Sequence, residues 1–191
     1  MAYKRITISK LEAARRQLDC ALELWFRDGD DVSIHTLASA AYQIVHDINT
    51  ASGSPRDLIY DTFWIKEEHR REFVNAVKKP ANFFKHADHD PDPNGSIEFA
   101  PEMSMAFLMC VFEELRQHGE RLTRVQTAFL FWLALHNPRV LKPTNVVLKI
   151  VNDLSSAKQS SMRSLPRADL LRAILETDTK VQRSRNPRIP V

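Results

Sequence analysis

The sequence predicts an all-α fold, a compact helical bundle of about seven helices. Three observations predict it. Apolar residues recur at helical spacing through most of the chain, as in Met105, Leu108, Met109, Phe112 and Leu115. Helix-start chemistry, Ser9 to Glu12 and again Thr123 to Gln126, stands before such runs. Glycine is scarce, at four of 191 residues, whereas a fold rich in tight β-turns needs more.

The first helix follows the Ser9–Glu12 capping box and reaches Phe26, with Leu11, Leu18, Leu22 and Trp25 on one side, and Asp28-Gly29-Asp30-Asp31 ends it. The second runs from Ser33 to Asn49 and stops before Ser52-Gly53-Ser54-Pro55. Between Arg56 and Ile65 a loop or short helix tucks Tyr60, Phe63 and Trp64 onto the core. The third spans Lys66 to Ala87 and is kinked or split at Pro80. Asp88 to Gly95 is turn chemistry, and Ser96 to Phe99 reads as a short extended piece. Pro101 opens the fourth helix, which Gly119 caps. The fifth reaches His136 and is apolar on all sides over Ala128–Leu135, so it is either the central helix or half of a subunit interface. The sixth runs from Thr144 to Ser156, and the seventh begins with Pro166 and fades near Lys180. One domain over 1–180 is expected, with 181–191 a basic, disordered tail.

The charge balance is +3 overall, but Lys158–Val191 alone carries eight basic and three acidic residues, so the body is close to neutral. Met1 to Lys10 lacks the apolar run and small-residue cleavage site of a secretory signal. The longest apolar run, Ala128 to Leu135, is too short for a bilayer. Cys20 and Cys110 sit in apolar helical patterns and read as two buried thiols in a reducing compartment. The expectation is a cytoplasmic protein with no membrane partner.

Chemistry concentrates on two helix faces. With His35 of the second helix as zero, Ser39, Tyr42, His46 and Asn49 fall within about 40°, opposite Ile34, Leu37, Ala41, Ile44, Val45 and Ile48. That face is either a site or a set of partly buried groups bonded to neighbouring helices. With Asn82 of the third helix as zero, Asn75, Lys78, Lys79, Lys85, His86 and His89 cluster within about 60°, opposite Phe73, Val77 and Phe84.

Those residues could support several reactions. A neutral imidazole can take the proton of a ribose 2′-hydroxyl while neighbouring lysines hold the phosphate and an asparagine orients. Asn82, Lys85 and His86 supply those parts without a metal or cofactor. Lys78, Lys79 and the tail arginines Arg183, Arg185 and Arg188 add attraction for a polyanion. A metal at His86 and His89 with Asp88 or Asp90 needs a further ligand from His35 or His46. Asp90 to Ile97 follows the start of a calcium loop, but Pro101 stands where the bidentate carboxylate belongs. Cysteine nucleophiles and phosphate-cradling glycine loops are excluded by the surroundings of the two cysteines and the scarcity of glycine.

An amphipathic second helix paired with Asn82-x-x-Lys85-His86 at the end of the third resembles the HEPN superfamily, over residues 9–136 in architecture. The resemblance implies a compact all-α domain, often dimeric, that acts on RNA as a metal-independent endoribonuclease or binds without cutting. The family's catalytic arginine lies four to six residues before its histidine, whereas here Lys79 holds the six-residue spacing, with Pro80 after it. Lysine keeps the charge without the guanidinium fork. The expected catalytic set is His86 as base, Lys85 and Lys79 on phosphate, Asn82 as orienter, and His35 or His46 as a second acid. RNA and a second copy of the chain are the expected partners. A non-enzymatic helical interaction or regulatory module is the alternative, and a His/Asp metal enzyme the third reading.

Overall fold

A computed structural model describes residues 3–53, 56–62, 65–87 and 91–185, with side chains as far as 177. Among the described residues there are eight α-helices, one short 3-10 turn and no strand. They are α1 (Lys10–Phe26), α2 (Asp31–Thr50), α3 (Glu67–Lys85), α4 (Met103–Gln117), α5 (Arg124–His136), α6 (Val146–Asn152), α7 (Ser156–Arg163) and α8 (Arg167–Arg185). None is long and apolar enough to cross a membrane, among the described residues. The contacts sort into two compact units. One is Met1–Trp25 with Gly29–Arg121; the other is Phe26–Asp28 with Leu122–Val191.

In the first unit α2 is the organising helix, packed against α4 and α3. It starts earlier than the sequence suggests, because the Asp30 carboxylate accepts the Ser33 amide at 2.7 Å and caps it. Half of the α1 capping box forms: the Glu12 amide donates to Ser9 Oγ at 3.1 Å, while the Glu12 carboxylate turns to Arg15 and Arg16. Helix α3 runs unbroken through Pro80, which is buried beside Ala81. Proline has no amide to donate to Ala76, so the ladder lacks one bond there. Ser96–Phe99 is irregular, not extended into a sheet. Gly119, at φ +80°, ends α4, and the Glu120 amide closes back on the Leu115 carbonyl at 3.1 Å.

The second unit is built on α5, the central helix, against which α6, α7 and α8 pack. Its core holds Ala134, Leu135, Leu148, Val151 and Leu170, with Phe131 and Trp132 packed on it. Both halves of the α5 capping box are present: Gln126 N donates to Thr123 Oγ1, and Thr123 N to Gln126 Oε1. Thr123→Ala should therefore cost about 1 kcal/mol, read from urea unfolding. The expected sixth helix, Thr144 to Ser156, is the shorter α6, and α7 follows it where no helix was expected. Asn145 caps α6, and Ser155 starts α7, a polar helix with no buried residue. Side chains hold α7 in place: Gln159 Nε2 donates to the Val151 and Leu154 carbonyls, and Arg163 Nε to Leu135 O at 2.7 Å. Helix α8 continues through Arg185, past the expected start of a disordered tail. Cys20 is exposed, contrary to the expectation of two buried thiols, and Cys110 is half-buried, its thiol pushed up to about 11 by burial and then by Glu114.

Candidate nucleic-acid interface

Helix α3 carries the chemistry on its outer side. Glu67 and Glu68 in its first turn and Lys85 in its last suit the helix dipole. Phe73, Val77 and Phe84 are half-buried and Pro80 and Ala81 buried, which fixes the inner side. Asn75, Lys79, Asn82, Lys85 and His86 are exposed on the outer side, as the 3.6-residue period requires. Arg71, exposed and eleven residues before Asn82, lies on the same stripe, at about 20° from it; sequence reasoning missed it, although the same arithmetic finds it. Among the described residues, none forms a hydrogen bond or ion pair with the side chains of Arg71, Lys79, Asn82, Lys85 or His86. Two acids stand near: Glu68, about 40° from Asn82 and so on the stripe, lies within 3.9 Å of Lys66 and 3.5 Å of His69, and Glu72 sits about 80° off it. Lys78 is half-buried, its Nζ 4.4 Å from the centre of the Tyr60 ring.

The polar side of α2 is turned inward. His35, Ser39, Tyr42 and Asn49 are all buried. His35 Nδ1 is 3.1 Å from Ser104 Oγ, and its Nε2 is buried with no hydrogen-bond partner among the described residues. Phe99, Phe107 and Phe84 enclose the ring, at centroid distances of 4.8, 5.5 and 5.9 Å. Burial, and then the charge of Lys85, pushes the imidazole down to about 4, so it is neutral near pH 7. Tyr42 Oη accepts the Tyr60 amide at 3.1 Å, and Tyr42 stacks edge-on with Tyr60. Burial, and then Asp47, raises the Tyr60 hydroxyl to about 12.

His46 stands in a different setting. Its Nε2 is 2.8 Å from Asp61 Oδ2, its Nδ1 3.5 Å from Asp47 Oδ1, and Tyr60 lies edge-on beside it. Eleven residues of α2 separate it from His35, about 16 Å along the axis. His86, exposed at the C-terminal cap of α3, makes neither set of contacts. The expected acid–base partners thus occupy three settings: His35 sealed among phenylalanines, His46 held by carboxylates, His86 open. What the structure does bring together is Asn82, Lys85, His86 and Lys79 on one helix face, with Lys78 at its edge. Asp88, His89 and Asp90 lie outside the described residues, as do Phe63, Trp64 and Arg188. Arg183 and Arg185 fall on α8, where only the backbone is described. No group of three His, Cys, Asp or Glu side chains among the described residues could hold a metal.

Against the α3 stripe lies a groove of about 440 Å³. Ala76, Lys79 and Pro80 form its helix side, and the 96–100 segment with Met103 forms the other. Sequence reasoning gave no sign of it, because it depends on how an irregular segment folds back on α3.

No family model matches the chain, nor does any curated protein or solved structure.

Proposed function

We propose that this chain is a cytoplasmic, RNA-directed protein of HEPN-like type that holds the phosphate backbone along the outer face of α3. One observation carries the reading: Arg71, Lys79 and Lys85 stand with Asn75, Asn82 and His86 on a single exposed stripe without acidic partners of their own. Successive turns of the helix, 5.4 Å apart, each present a cation or an amide. Such a row neutralises phosphates in sequence and displaces their counterions. The amides of Asn75 and Asn82 can donate to phosphate oxygens between the cations.

In the catalytic form of this reading the His86 imidazole accepts the proton of a ribose 2′-hydroxyl. The freed oxygen bonds to the adjacent phosphorus to close a 2′,3′-cyclic phosphate, the bond from phosphorus to the 5′-oxygen breaks, and that oxygen takes a proton from water. Lys79 and Lys85 stabilise the charge that builds on the phosphate oxygens. A second reading, binding without cleavage, is favoured by a specific observation: His35 is sealed and His46 is held by Asp61, so neither ring is open to serve as an acid for the leaving oxygen.

The test is a titration of fluorescent single-stranded RNA with wild type, Lys79→Glu/Lys85→Glu and His86→Ala. Wild type is expected to bind, and the double charge reversal to weaken binding about tenfold or more. If the protein cuts, His86→Ala should lose cutting and keep binding; if it only binds, no variant cuts. Wild-type protein that holds no RNA at low salt would overturn the reading.

A further inference from the structure

The groove beside α3 has a shape and lining that phosphate contacts do not use. Lys79 belongs both to the groove and to the cationic stripe, so a strand tracking the stripe passes its mouth. Pro80, Ile97, Phe99 and Met103 contribute apolar side chains to a lining that is otherwise polar, the polar part slightly the larger. Phe99 is held from behind: His35 meets it edge-on at 4.8 Å and Phe84 at 5.2 Å. The buried imidazole is therefore part of a fixed aromatic wall, and not a group that reaches a ligand. At the rim, Ser96 and Glu98 are exposed, and no described residue pairs with the Glu98 carboxylate.

We propose that this groove receives one unstacked base of a single-stranded RNA whose phosphates run along α3, and that Glu98 selects a base bearing an exocyclic amine. The inference rests on the RNA-directed reading above and names its substrate class. A nucleobase is flat and apolar on its faces and polar at its edge, which suits a groove where the apolar side chains of Pro80, Ile97, Phe99 and Met103 stand beside Ser96 and Glu98. In a duplex the bases are stacked and paired, so only a single strand can supply one. A carboxylate beside a polyanion repels it unless it accepts a hydrogen bond in return. The amino group of cytosine donates to such an acceptor. Uracil presents a carbonyl oxygen at that position, and two acceptors face each other. Glu98 thus acts against the wrong base as well as for the right one.

The experiment compares oligo(C), oligo(U) and a duplex of equal length, in wild type, Glu98→Ala, Ala100→Trp and Lys79→Glu/Lys85→Glu, with thermal melts to check that each variant is folded. Wild type should hold oligo(C) at least fivefold tighter than oligo(U), and the duplex less tightly than oligo(C). Glu98→Ala should remove the preference and retain binding. Ala100→Trp, which fills the groove, should remove the advantage of single strand over duplex. If wild type holds oligo(C), oligo(U) and duplex equally while the double charge reversal still weakens all three, the base site is overturned and the phosphate grip stands. If wild type holds none of them, the RNA-directed reading falls and this inference with it.

Discussion

Replacing Arg56 with alanine is expected to destabilise the protein by about 3 kcal/mol, the lower end of the cost of breaking a buried ion pair. Glu114 projects from α4 with its side chain 3% exposed, and its carboxylate pairs with Arg56. The arginine is placed by Asn49 at the end of α2. Asn49 Oδ1 accepts the Arg56 amide at 3.0 Å, and Asn49 Nδ2 donates to the Arg56 carbonyl at 2.8 Å. Removing the guanidinium leaves a buried carboxylate without its counter-charge. The Arg56 side chain is 44% exposed, so water can reach the gap and the cost falls at the low end of the range. Glu114→Gln in the Arg56→Ala background should recover part of the loss, because a neutral amide is cheaper to bury than a charge. Urea unfolding of the two single variants and the double variant gives the coupling directly. A loss under about 0.5 kcal/mol for Arg56→Ala would mean that the pair does not organise this end of the unit.

The second large effect is on acid stability, through His35. Its imidazole sits at about 4 in the folded protein, below the ordinary 6.5, because of burial and then Lys85. A depressed value means that the unfolded chain takes up the proton first. Stability is thus complete above about pH 6.5, falls as the pH drops towards 4, and levels off below, where both states are protonated. Between pH 7 and pH 5 the expected loss from this group is about 2 kcal/mol. Glu12, lowered by Arg15 and Arg16, and Asp30, lowered by the Ser33 side chain and then its amide, are shifted in the direction that acts at lower pH and do not share this window. His35→Leu removes the titrating ring and should flatten the profile between pH 7 and 5, read from urea midpoints at each pH. A variant profile as steep as that of wild type would place the acid sensitivity elsewhere.

Much of the fold was legible because helices announce their ends. The Thr123–Gln126 box and the Gly119 cap need only local chemistry, and both form where that chemistry stands. Asp30 was read as a terminator of the first helix when it caps the second, because an aspartate between two helices can do either. Helix α7 has no apolar period; Met162 packs on the core of its unit, and Gln159 and Arg163 bond the Val151, Leu154 and Leu135 carbonyls. No pattern within its own eight residues reports that. The polar stripe of α2 was found correctly as a stripe, but its side chains turn inward: Tyr42 meets the Tyr60 amide, Asn49 meets Arg56, and His35 meets Ser104 through Nδ1 alone. Periodicity shows which residues share a face. It does not show whether that face meets water or another helix with matching hydrogen bonds. The α3 stripe had the simpler reading, since lysines without buried acids go to the surface.

The salt dependence of RNA affinity tests the central claim most directly. If Arg71, Lys79 and Lys85, with Lys78 at the edge, neutralise three or four phosphates, log affinity for single-stranded RNA should fall with log salt at a slope of roughly −2 to −3. In Lys79→Ala/Lys85→Ala the slope should be shallower by about 1.4, two contacts' worth. An unchanged slope in that variant, or no binding by wild type at low salt, would contradict the assignment of the α3 face to phosphate.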